Sequence, residues 1–190
     1  MKLDRVDKSY GGTTVFRGLT LEVPSEGVTA LVGPSGCGKT TALRLLAGLE
    51  TPDAGRVEDV PDRLSMVFED DLLLPWASAL ANVELVGASR AQAASLLAEL
   101  GLAGREDVRV ASLSGGQRRR VAVARALAYP AEAFLLDEPT QRLDAESAAA
   151  VLSAVRSHAQ GAPVLIVTHD PAVAAACDCT MRLSDADRPS

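Results

Sequence analysis

An α/β fold built on a parallel sheet follows from three observations. Residues 28–32, 133–136 and 164–167 are short apolar runs, the pattern of strands buried on both faces. Each run is followed at its carboxyl end by residues able to do chemistry: the loop 33–40, the pair Asp137-Glu138, and Thr168-His169-Asp170. Ligands of open α/β sheets bind at that end of the strands. Helical patterns separate the runs, as parallel strands require of their crossovers.

Taken in order, residues 2–6 alternate loosely and read as an edge strand, and 15–23 as a second strand. Tyr10-Gly11-Gly12 lies between them, with Tyr10 either a turn residue or an aromatic able to stack on a base. Gly33-Pro34-Ser35-Gly36-Cys37-Gly38-Lys39-Thr40 then fits the phosphate-binding pattern G-x-x-x-x-G-K-[ST] at every fixed position. The glycines let the backbone curl and turn its N–H groups inward. The helix that follows, from Thr41 to a stop at Gly48, adds partial positive charge at its start. Lys39 can reach the β- and γ-phosphates, and Thr40 offers a hydroxyl to Mg²⁺.

Residues 56–60 and 64–68 are expected strands, and the second ends in the acidic cluster Glu69-Asp70-Asp71. That cluster is either a solvated loop or a set of groups aimed at Mg²⁺ or water. From 78 to 100 the pattern is helical, with a new helix capped by Ser89 and Gln92. Residues 72–111 therefore read as a helical subdomain inserted in the α/β chain. Leu113-Ser114-Gly115-Gly116-Gln117 opens another helix, expected over 117–128. Ser114 is its N-cap, and two glycines leave the helix start open to an anion. The chain thus holds two anion-ready helix starts where one nucleotide site needs only one. Arg118, Arg119, Arg120 and Arg125 read as a solvated face with some phosphate-facing help.

Asp137, directly after the run 133–136, suits a Mg²⁺ shell, and Glu138 suits polarising an attacking water. Residues 144–156 form the next helix. His169, at the end of the run 164–167, is placed to sense a γ-phosphate or to steady the water, whereas His158 reads as a surface residue. Residues 182–190 read as a loose polar tail.

The totals narrow the function classes. The 190 residues, 47% apolar and 23% charged, suit one soluble domain with its own core. A net charge of −6 argues against a nucleic-acid surface. The charged amino terminus has no apolar run behind it, and the most apolar stretch, 72–88, is interrupted by Pro75, Asn82 and Glu84. Neither a secretory leader nor a membrane span is expected. Of the three cysteines, Cys177 and Cys179 lack a second ligand pair. They are expected as buried thiols near a final strand rather than as a metal site.

The set of motifs resembles the ATPase subunit of an ATP-binding-cassette (ABC) transporter, over residues 3–183 and in family order. The loop 33–40 matches its Walker A motif and 134–138 its Walker B motif. Residues 113–117 match the family signature and Leu143-Asp144 the D-loop; His169 matches the switch histidine, and Tyr10 the aromatic that stacks on adenine. The resemblance implies a P-loop NTPase core with a parallel sheet, an N-terminal antiparallel β subdomain and an inserted helical subdomain. It implies Mg-ATP hydrolysis by a head-to-tail homodimer or pseudo-dimer. Each ATP would sit on one protomer's 33–41 loop and against the other's Ser114, Gly115, Gly116 and Gln117, with Asp144 close by. Glu138, His169 and Glu69 would act in catalysis, and Thr40, Asp137 and Glu69 at the metal. Residues 69–86 would meet separate transmembrane permease subunits, holding the chain peripherally at the cytoplasmic face of the cell membrane. No nucleic-acid partner is expected.

Two departures accompany the resemblance. Glu69 stands where the family usually has glutamine, and Gln141-Arg142 replace small residues of the D-loop. The chain reads as a minimal cassette without a further regulatory domain. Residues 68–76, Phe-Glu-Asp-Asp-Leu-Leu-Leu-Pro-Trp, look like ATPases of the nitrate/sulfonate/taurine importer group. A soluble cassette ATPase, or a low-turnover ATP switch acting on a non-membrane partner, stands as the alternative.

Overall fold

The computed structural model describes residues 1–183. Its strands form two sheets. β1 (Lys2–Tyr10), β2 (Thr13–Glu22) and β4 (Ala54–Glu58) make an antiparallel sheet in the order β2-β1-β4. β3 (Val28–Val32), β5 (Leu64–Val67), β6 (Ala133–Asp137), β7 (Val164–Val167) and β8 (Cys179–Arg182) make a parallel sheet in the order β5-β6-β7-β3-β8. The helices are α1 (Lys39–Leu46), α2 (Ala79–Glu84), α3 (Arg90–Glu99), α4 (Gly115–Ala128), α5 (Ala145–Ala159) and α6 (Pro171–Ala175).

The apolar runs are buried on both faces, and alternate residues serve two cores. On β6 and β7, Phe134, Leu136, Val164 and Ile166 pack with residues of α2, α3, α4 and α5. Ala133, Leu135, Leu165 and Val167 pack the other way, with α1 and the antiparallel sheet. The parallel sheet is therefore the middle layer. All its strands run the same way, so the residues after β3, β5, β6 and β7 meet at one edge.

The first expected strand is longer than 2–6 and central, not an edge. Leu3 and Val6 are fully buried, while Asp4 pairs across to Arg56 and Lys2 to Glu58. The loose alternation comes from a bulge: Arg5 takes φ 49°, and both pairings of β1 shift register around it. Tyr10 ends β1 rather than sitting in the turn. The strand expected over 56–60 lies two residues earlier, because the chain turns at Asp59 with φ 55°.

Ser89 caps α3 by accepting from Gln92 N at 3.3 Å. α2 and α3 both pack on α4. His158 bridges to Glu99 at 2.8 Å, joining α5 to α3, so it is more than a surface residue. Cys179 is exposed and Cys177 half-buried, against the expectation of two buried thiols, because β8 is an edge strand. Arg182 closes β8 and Leu183 is buried, so neither belongs to a loose tail. The rest of that expected tail lies outside the described residues. Among the described residues no helix is long and apolar enough to cross a membrane.

Candidate functional site

β3 ends at Val32, and the chain curls through 33–38 into α1. Gly38 takes φ 99°, and a side chain there would collide with Phe16 and Val15 at about 2.5–2.7 Å. Gly33 is needed for a different reason. Its φ is ordinary, but a Cβ would lie 2.6 Å from the Leu183 carbonyl and 2.8 Å from Cys37 Sγ. Lys39 Nζ donates to the carbonyls of Gly33 at 2.9 Å and Pro34 at 2.8 Å, across the loop. Cys37 is buried beneath it. α1 carries no acidic residue in its first turn and no side-chain cap, so its positive end is left to an outside anion.

An open cleft of about 570 Å³ lies over this loop. Ser35, Gly36, Gly38, Lys39, Thr40 and Thr41 form its floor. Tyr10 and Val15 form the wall from the antiparallel sheet, while Glu69, Asp137, Glu138 and His169 come from the strand ends. Tyr10 is 41% exposed, with Lys8 Nζ 4.9 Å from its ring centre. Of the expected loop residues, Gly33, Pro34 and Cys37 are not among those that line the cleft. Val15, Gln141 and Val167 line the cleft without having been expected. Val15 and Val167 were assigned to strands, and an apolar strand residue gives no sign of which ligand it will face.

Thr40 Oγ1 donates to Asp137 Oδ2 at 2.7 Å. Asp137 is 2% exposed, and burial pushes its carboxyl above the usual range. The Thr40 bond opposes that shift, while the charges of Glu69 and Glu138 add to it. A hydroxyl beside a buried carboxylate suits a hard divalent cation, whose charge would offset this crowding. Among the described residues no three His, Cys, Asp or Glu side chains converge as a metal-binding group. The Thr40 hydroxyl and the Asp137 carboxylate fit a Mg²⁺ site that would leave most ligand positions to phosphate and water.

Glu138 adopts φ 49°, a left-handed backbone uncommon for a residue with a side chain. Its Oε1 accepts from the His169 backbone N–H at 3.0 Å and lies 2.7 Å from His169 Nδ1. Its Oε2 accepts from Thr168 Oγ1 at 3.3 Å. The Glu138 side chain is 13% exposed and that of His169 71% exposed. The pair thus sits at the cleft wall with the imidazole outermost.

Two expected groups are not in the cleft. Ser114 caps α4 in a complete capping box: Ser114 Oγ accepts from Gln117 N, and Gln117 Oε1 accepts from Ser114 N. Asp144 caps α5, accepting from Ser147 N at 2.8 Å. That bond holds its carboxyl below the usual range. Ser114, Gly115, Gly116, Gln117 and Asp144 line no part of the cleft. Gly116 instead packs on the D-loop, where a Cβ would lie 2.9 Å from Arg142 O.

The arginines of α4 are not a solvated face. Arg118 donates to Leu113 O, Arg120 to Leu100 O, and Arg125 to the carbonyls of Leu72 and Asp71. Arg119 is 1% exposed. A run of like charges reads as solvated, but each guanidinium here has backbone carbonyls within reach. Asp71 is neither solvated nor aimed at the cleft, because it faces Arg119 at 3.1 Å.

Residues 16–141 match the family described as ABC transporter. The chain belongs to that family. This cassette is 47% identical, over 87% of its length and 68% of the relative's, to aliphatic sulfonates import ATP-binding protein SsuB 3 of Paraburkholderia xenovorans. It is 42% identical, over 93% of its length and 67% of the relative's, to SsuB of Rhodopseudomonas palustris. It thus spans about two thirds of these relatives. Its fold matches a dimeric, post-hydrolysis structure of the ATP-binding cassette MJ0796 bound to ADP and Pi. That match has a TM-score of 0.86 and 30% identity, covering 97% of this chain and 94% of the other.

Proposed function

We propose that this cassette binds and hydrolyses Mg-ATP in a head-to-tail dimer and drives import of a sulfonate-type solute through separate permease subunits. One observation carries the shared-site reading. The cleft holds the phosphate loop, Asp137, Glu138 and His169, whereas the second anion-ready helix start, at Ser114, lies outside it. The amides of Gly115 and Gly116 at that start have no partner among the described residues. A second protomer is the natural source of the phosphate they would meet.

In this reading Tyr10 stacks on the adenine, and the amides of 35–41 with Lys39 hold the phosphates. Thr40, Asp137 and Glu69 would hold Mg²⁺, which would neutralise the charge of the phosphates in the reaction. The Glu138 carboxylate takes the proton of the attacking water, and His169 steers that carboxylate through Oε1. Asp144 and Ser114–Gln117 act across the dimer. Leu72, Trp76 and Leu85 are exposed at 59%, 71% and 57%, an apolar set within 69–86 that suits a permease contact and peripheral attachment at the cytoplasmic face. The sulfonate assignment rests on the relatives' names and on residues 68–76.

Glu138→Gln tests the reading. The variant is expected to bind ATP, to turn it over at least about 100-fold more slowly, and to sediment as a dimer with ATP but not with ADP. A monomer in saturating ATP, or turnover at the parent rate, overturns it.

A further inference from the structure

Arg119 is the largest fully buried side chain among the described residues. A buried guanidinium must have its donors satisfied, and here they are satisfied by two separate segments, 68–71 and 137–138. Nη1 donates to Phe68 O at 2.5 Å and to Asp71 Oδ1 at 3.1 Å, both just beyond β5. Nε and Nη2 donate to Glu138 O at 3.0 and 2.8 Å, and Nη2 also donates to Asp137 O. The base of the side chain is fixed in α4. Asp71, only 12% exposed, carries a second guanidinium on its other oxygen, that of Arg142 at 3.9 Å. One chain of charges, Arg119–Asp71–Arg142, therefore joins the helix that the signature opens, the 68–71 segment, the Walker B end and the D-loop.

The clamp acts on a strained residue. Glu138 holds φ 49°, a conformation that persists only when its surroundings over-determine it. Its N–H is tied to Val167 O at 2.9 Å, and its C=O accepts from the Gln141 N–H at 3.0 Å and, among the side chains of the described residues, from Arg119 alone. Fixing the peptide units on either side of the Glu138 Cα fixes where Cβ points, and so where the carboxylate meets His169.

We propose that Arg119, oriented by Asp71, is a positioning residue for Glu138. It holds the left-handed turn that presents the carboxylate and makes that presentation depend on the 68–71 segment. Displacement of Phe68 O and Asp71 removes Arg119's other anchors and loosens its hold on the Glu138 carbonyl, which is then left to the Gln141 N–H. The segment that leads into the exposed residues Leu72 and Trp76 is thereby linked to the base through one side chain. The inference rests on Glu138 as the base.

The test does not depend on turnover. Backbone amide spectra of the full chain are recorded for the parent, Arg119→Lys, Asp71→Asn and the double variant. Lysine keeps the charge but cannot reach both carbonyl sets. The Glu138 and His169 amides are expected to shift in both single variants, with no further shift in the double variant. Turnover is expected to fall about tenfold or more in kcat, with KM for Mg-ATP within about twofold. Amides at 138 and 169 that match the parent in a folded Asp71→Asn overturn the proposal, as do additive shifts in the double variant. If Arg119→Lys fails to fold, Asp71→Asn alone decides by the same amides. A parent without turnover would count against the ATPase reading and leave the amide comparison intact.

Discussion

Glu69 brings to the mouth of the cleft a charge that glutamine would lack. It raises the Asp137 carboxyl further, and the same field opposes an arriving triphosphate. Glu69→Gln is expected to lower KM for Mg-ATP about threefold at low salt, with the gain shrinking as salt screens an exposed group. A KM unchanged at every ionic strength means Glu69 faces no phosphate. Residues of this kind were legible in the sequence because their position after an apolar run places them at the sheet edge. Lys39, Thr40, Asp137, Glu138 and His169 were found that way, and all line the cleft. Arg119 was not legible. A guanidinium is charged in any surroundings, and only the carbonyls of Phe68, Asp137 and Glu138, brought from distant parts of the chain, make its burial possible.

At the scale of elements, β3 and β7 were legible to the residue because strands buried on both faces give unbroken apolar runs with breakers beside them. β1 was legible only in part, since its bulge at Arg5 hides the alternation. α6 is too short, at five residues, for a helical period to show. The joint behind the site depends on Asp178. Its Oδ2 accepts from Val28 N at 2.7 Å, at the start of β3, and its Oδ1 from Arg156 of α5 at 2.8 Å. The Val28 amide, then Arg156, holds this carboxyl below its usual range. A depressed native pKa gives stability that is complete above the unfolded value of about 3.9 and lost as pH falls through the native one. Asp178→Asn is therefore expected to melt a few degrees below the parent at neutral pH, with the gap closing as pH falls below about 4. A gap that is the same at every pH means the carboxylate's charge plays no part.

For the whole molecule the question is whether one chain contains a complete site. Its phosphate loop and its signature helix start belong to different surfaces. In a two-fold dimer a residue of one surface meets the other surface of its partner, and the reverse contact follows by symmetry. This gives a test that no monomer can pass. Lys39→Ala removes the charge at the phosphates, and Ser114→Arg blocks the helix start without touching the cleft. Each variant alone is expected to be inactive. In an equal mixture half the dimers pair one variant with the other, and each such dimer keeps one intact site of its two. Mixing is thus expected to restore up to about one quarter of parental turnover, rising with protein concentration. A mixture as inactive as its components would remove the trans role of Ser114–Gln117. Activity retained by Ser114→Arg alone, at concentrations where it is monomeric, would assign the whole reaction to the cleft of one chain.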